Sequence, residues 1–233
     1  MSLLDLLDLI PLALLGAVIG LDVVSFPQAM ISRPIVAATV AGAMVGSAGK
    51  GLLIGAILEL FALEMLAVGA SRYPEWGSAS VVGGALFAGA PMAAPEAGAL
   101  ATAVAAALLT AWGGGWSMIL LRKVNGVFAR RSIDGLDRGS IRAVTGLQVT
   151  GLTMDLARGG VLTLVALAAI GPVSGLAARH WTSSEASSEA AVLAVAAAAA
   201  AGAVWRLFHG VEGAQWWFFG GLGGGLAMIL AGR

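Results

Sequence analysis

The chain has 233 residues, 59% of them hydrophobic and 11% charged, and its formal net charge is zero. A soluble domain carries roughly 25% charged residues, so this chain cannot clothe a water-facing surface and reads as an integral membrane protein. The balanced charge excludes a nucleic-acid footprint, and the absence of cysteine excludes a disulfide framework and thiol chemistry.

The apolar stretches are continuous and rich in Leu, Ala and Gly, without period-two alternation, which predicts helices rather than barrel strands. The N-terminus "MSLLDLLDLIPLALLGAVIG" carries Asp5 and Asp8 where a signal peptide would carry Lys or Arg. It is expected to be a retained first helix. The apolar segments then run approximately Leu9–Val24, Pro34–Gly46, Gly51–Val68, Ser78–Met92, Gly98–Leu121, Val144–Thr153, Gly160–Ala178, Ala190–Val204 and Trp216–Ala231. A full span needs about 20 apolar residues. Pro34–Gly46, Ser78–Met92 and Val144–Thr153 fall short, as broken or re-entrant helices of transporters do. The expectation is an all-α polytopic membrane protein in a single domain, residues 1–233. It should hold five or six full-length transmembrane helices plus two or three short broken ones.

"FPQAMISRPIVAATVAG", Phe26 to Gly42, interrupts this pattern. Pro27 and Pro34 each remove a backbone donor and disfavour helix in the preceding residue. Gln28 and Ser32 can satisfy the freed groups, or bind a polyhydroxylated ligand through paired donors and acceptors. Asp22 approaches the break from the other side. A purely structural kink with internally satisfied side chains is the competing reading.

Charges at bilayer depth cost several kcal/mol, so such groups face protein, water or substrate. Besides Asp22, Gln28 and Arg33, the candidates are Glu59, Glu64 and Asp155. Glu59 and Glu64 lie five residues apart, about 140° around a continuous helix, and cannot share one pocket. Glu59 suits either a substrate role or an internal salt bridge with Arg33.

"RYPEWGS", Arg72 to Ser78, and "WWFF", Trp216 to Phe219, read as interfacial, with their aromatic rings at headgroup level. Arg122 to Arg142 holds six of the thirteen basic residues and a local net charge of +4. It is expected to be a cytoplasmic loop by the positive-inside rule. Its charges either only set topology or dock a cytoplasmic partner. His180 and His209 stand alone, so no metal site is indicated. No cofactor motif is present; "GGGW" and "GGLGGG" read as packing glycines.

Gly20 to Gly84 resembles the N-terminal part of the IIC subunit of mannose/fructose/sorbose-type sugar phosphotransferase systems. The matching residues are Asp22, Gln28, Arg33-Pro34-Ile35, Lys50-Gly51-Leu52-Leu53-Ile54-Gly55, Glu59, Val68-Gly69-Ala70 and Pro74-Glu75. Leu66-Ala67 stands where the family pattern often has a proline. "LLRKVNGVFARRSIDGLDRGSIRAVTGLQ" is similar to the family's central cytoplasmic stretch, including Asn125. The resemblance implies group translocation. A phosphorylated cytoplasmic IIB subunit would transfer its phosphoryl group to a hexose delivered by IIC and a IID membrane partner. IIC itself would carry no phosphorylated residue, would not be catalytic alone and would need no cofactor or metal.

The implied setting is the bacterial inner membrane, with lipid around a multi-pass oligomer and no nucleic acid. The candidate sugar-binding residues are Asp22, Gln28, Ser32, Glu59 and Glu75, with Arg33, Pro27 and Pro34 supporting the site. The alternative is an ion-coupled secondary carrier with Glu59 and Asp22 as protonation sites.

Overall fold

A computed structural model of the chain describes residues 7–63 and 72–231. Asp5, Glu64 and the Val68-Gly69-Ala70 stretch lie outside the described residues. Every regular element described is a helix: α1 (Ile10–Asp22), α2 (Pro34–Val45), α3 (Ala48–Ala62), α4 (Trp76–Ala88), α5 (Glu96–Arg131), α6 (Ile133–Asp137), α7 (Ile141–Arg179), α8 (Glu185–Phe208) and α9 (Ala214–Ala231).

The sequence punctuates these helices by physical rules. Pro34 opens α2 at its first turn, where a missing N–H costs nothing, and Gly46 closes it at φ +108°. A glycine suits that backbone, whose next N–H, from Ser47, returns to the Gly42 carbonyl at 2.8 Å. The helix therefore ends sharply, and α2 and α3 form a tight antiparallel hairpin. A Cβ on Gly51 would lie 2.4 Å from the Ala38 carbonyl oxygen, so only a glycine permits that approach.

α4 is the centre of the molecule, with nearly every residue buried, from Trp76 to Phe87. It packs against α2, α3, α5, α1 and α7. A helix that is apolar all round suits such a position, as it does a lipid-facing one. Two apolar clusters meet there. One gathers Ile54, Leu58, Phe87 and Val104, the other Ile19, Val81, Val82 and Leu167. The start of α5 is held by an acid. Glu185, in the first turn of α8, accepts the N–H groups of Glu96 and Ala97 at 3.0 and 2.9 Å, capping the positive end of α5.

Among the described residues, three helices are long and apolar enough to cross a membrane: α5, α7 and α8. α1, α2 and α4 are shorter apolar helices. The sequence had led us to expect five or six full spans; α1 ends at Asp22, close to the expected Val24, and α3 runs up to residues outside the described range. Val144–Thr153 is a correction. It is not a separate short segment but the first part of α7, which runs unbroken for 39 residues. The intervening Asp155 and Arg158 pair with each other along the helix, at 2.8 Å, and so need no break.

The basic segment 122–142 is also helical rather than a loop. Arg130 and Arg131 occupy the last turn of α5, where positive charge complements the helix dipole. At 36 and 39 residues, α5 and α7 are about 54 and 58 Å long, well beyond the roughly 30 Å hydrocarbon core. Their joining turn therefore extends past the apolar zone. Tyr73 and Trp76 are buried against the protein. Trp216 and Trp217 are exposed on α9, none of whose residues is buried.

Candidate functional site

The break after α1 is built around one acid. Asp22, only 2% exposed, accepts the backbone N–H of Ala29 at 2.7 Å and that of Ser32 at 2.9 Å. These two bonds fold residues 23–33 into a compact turn. Within it, Gln28 and Met30 adopt positive φ of 58° and 61°. Non-glycine residues pay roughly 1–3 kcal/mol each for such conformations and hold them only where the surroundings over-determine them. Asp22 supplies that constraint. The Gln28 side chain donates to the Val24 carbonyl at 2.9 Å and keeps its own carbonyl oxygen available.

The far side of the break is held by a second acid. Glu59 pairs with the Arg33 guanidinium and accepts the Ile35 N–H at 3.2 Å. It thereby satisfies a free donor in the first turn of α2. Glu75 does the same for α4: fully buried, it caps the helix by accepting the Ser78 N–H at 3.1 Å.

A third cluster involves α7. Asp155, 2% exposed, accepts from Arg158 Nε at 2.8 Å and from the hydroxyl of Ser25. Arg158 also reaches the Ser117 hydroxyl of α5 at 3.2 Å and the Gly20 carbonyl of α1 at 3.5 Å. Three helices are thus tied at one level by one guanidinium.

Beside this cluster opens a cleft of about 430 Å³, lined by Ser25, Gln28, Tyr73, Arg122, Asn125 and Asp155 together with Val23 and Val24 of the turn after α1, apolar residues of α5 and Gly151 of α7. Ligand pockets fall in the range of about 300–1,000 Å³. The Arg122 guanidinium lies over the Tyr73 ring at 5.3 Å. The lining offers amide, hydroxyl, carboxylate and guanidinium groups beside apolar side chains. A second cleft of about 490 Å³ lies toward the other end of α7, between Leu86, Pro91, Thr102, Pro172, Ser174 and Arg179.

Of the residues singled out in the sequence, Gln28, Asn125 and Asp155 line the polar cleft. Asp22, Glu59 and Glu75 have their carboxylates engaged by backbone N–H groups and Arg33, and Ser32 meets Asp22 through its backbone. Pro27 lies in the turn and Pro34 starts α2. Sequence reasoning missed Ser25, Tyr73 and Arg158. A signal for Arg158 was present: an acid and an arginine three residues apart share one helix face.

Comparison with known proteins bears on this arrangement. Residues 6–178 match the family described as the PTS system sorbose-specific IIC component. The chain is 30% identical over 159 residues to the fructose permease IIC component of Bacillus subtilis, covering 68% of this chain and 56% of the relative. It is 26% identical over 139 residues to the mannose-specific EIIC component of Escherichia coli K12, covering 60% and 50%. The chain thus spans about half the length of these curated relatives.

Two solved structures share the fold across the whole chain. One, described as the structure of a membrane protein, superposes with a TM-score of 0.72 at 19% identity and is 93% covered. The other is a complex of the mannose transporter ManYZ with microcin E492, with a TM-score of 0.58 at 18% identity and 96% covered. A bundle of apolar helices broken at Asp22–Pro34, matched by family over most of its length, fixes the assignment: the chain is a membrane protein belonging to the sorbose-type IIC component family of sugar phosphotransferase systems.

Proposed function

We propose that this chain is the sugar-translocating IIC component of a phosphoenolpyruvate-dependent phosphotransferase system. It binds a hexose in the cleft beside Gln28 and delivers it to a phosphorylated cytoplasmic IIB subunit. The observation that carries this reading is the polar cleft itself. An irregular, conformationally strained turn at membrane depth is tolerated where it lines a cavity or is buried in protein, and this one presents Gln28 to a cleft that also holds Asn125. Both amides combine donors and an acceptor, as a sugar's hydroxyls require.

Asp22, Glu59, Ser32 and Glu75 serve this site by fixing backbone. Asp22 and Ser32 hold the turn, Glu59 with Arg33 holds the start of α2, and Glu75 caps α4. Their engagement with arginine and backbone donors gives no support to a carrier that would load protons on Glu59 and Asp22. The chain works in the bacterial inner membrane beside a IID subunit, in an oligomer. The basic turn between α5 and α7 faces the cytoplasm, where IIB docks. The chain accepts no phosphoryl group itself, and IIB and the sugar exchange it directly.

The test is hexose binding by calorimetry to this chain co-purified with its IID subunit. Gln28→Ala and Asn125→Ala should each weaken binding by about 2- to 12-fold, the loss expected for an ordinary hydrogen bond. Unchanged affinity in both variants would place the sugar elsewhere.

A further inference from the structure

Asp155 is a buried acid with one oxygen committed and the other exchangeable. Its Oδ1 is fixed by Arg158 Nε at 2.8 Å, and Arg158 is itself anchored to Ser117 and Gly20, so the carboxylate cannot turn away. Its Oδ2 accepts the hydroxyl of Ser25. Ser25 is exposed and lies in the irregular turn after α1, so its hydroxyl can be released to water. Both Ser25 and Asp155 line the polar cleft next to Gln28 and Asn125.

We propose that Asp155 is a specificity-determining residue of this cleft: its Oδ2 accepts one particular hydroxyl of the bound sugar, in exchange for Ser25, while Arg158 acts as the positioning residue. This rests on the cleft being the sugar site. The chemistry selects a neutral donor. A carboxylate only accepts, so the ligand atom facing it must carry a proton. Arg158 already balances the charge of Asp155, and Arg122 stands on the cleft wall, so a cation gains nothing there. A hydroxyl taking the place of the Ser25 hydroxyl leaves the buried carboxylate fully bonded throughout, which avoids the cost of an unsatisfied buried charge.

The experiment measures mannose, fructose and sorbose, each with its monodeoxy and deoxyfluoro analogues, against the purified chain with its IID subunit. In the unaltered protein, one hydroxyl position should carry a penalty of about 10- to 150-fold on replacement, the loss of a hydrogen bond to a charged group. Fluorine, which cannot donate, should be penalised as heavily as hydrogen at that position. In Asp155→Asn the penalty at that position should fall to the about 2- to 12-fold of an ordinary hydrogen bond, because the amide that replaces Oδ2 is a neutral donor to the hydroxyl. If Asp155→Asn instead weakens every analogue by one common factor, Asp155 is a structural staple and the proposal fails.

Gln28→Ala and Asn125→Ala, measured alongside, separate the two ideas. If neither changes affinity, the cleft reading fails and takes this proposal with it. If both do while the analogue pattern survives in Asp155→Asn, this proposal alone fails. Should Asp155→Asn not yield folded protein, Ser25→Ala decides. Removing the competing hydroxyl should tighten hexose binding several-fold and keep the penalty at the same position, and weaker binding would overturn the exchange.

Discussion

Replacing Asp22 by alanine should release the turn that carries Gln28. The carboxylate accepts two backbone N–H groups, at 2.7 and 2.9 Å, from within the protein. Hydrogen bonds to a charged acceptor contribute about 1.5–3 kcal/mol each, so the pair stabilises the turn by roughly 3–6 kcal/mol. Against this stand the left-handed conformations of Gln28 and Met30, at roughly 1–3 kcal/mol each. Without Asp22 the balance reverses, and the turn should populate its folded form only in part. Apparent sugar affinity falls in proportion to that fraction.

Asp22→Asn is the graded control. Its one carbonyl can satisfy one N–H, while its amide group faces the other donor. Affinity should therefore fall in the order wild type, Asp22→Asn, Asp22→Ala, with the alanine variant at least about 10-fold weaker. The assay is calorimetry on the subunit pair, with thermal unfolding in detergent recorded in parallel. Folded Asp22→Ala with affinity within about 2-fold of wild type would refute the idea that this acid organises the turn.

Arg33→Ala should lower the folded amount by leaving Glu59 without its partner, and adding Glu59→Gln should restore part of it; fluorescence size-exclusion of detergent extracts reads both. Gly51→Ala should destabilise by about 1–3 kcal/mol or more, since its Cβ would meet the Ala38 carbonyl oxygen at 2.4 Å, whereas Gly223→Ala, with nothing within 4 Å, should leave the melting temperature unchanged. The natural absence of cysteine makes the topology directly testable. Cysteines introduced singly at Ser132 and Ser140 should resist a membrane-impermeant thiol reagent in intact cells, and labelling from outside would invert the orientation.

Much of the break was legible in the sequence because prolines and charges are rare in apolar chains. Pro27 and Pro34 mark the break by residue type alone, whereas Glu59 at membrane depth suited a substrate as well as Arg33, and only the structure shows the pair. The direction in which Asp22 points was not legible. A carboxylate can cap backbone or meet a ligand, and only the path of residues 23–33 decides between them. α7 was misread because hydropathy registers "MDLAR" as a gap between two apolar runs, while the helix sees Asp155 and Arg158 on one face.

The most direct measurement is a structure of this chain with its IID subunit and bound hexose. The account predicts sugar density in the cleft between the turn after α1, α5 and α7, within hydrogen-bond reach of Gln28 and Asn125. Density instead in the cleft near Pro172 and Arg179, with the Gln28 cleft empty, would contradict it.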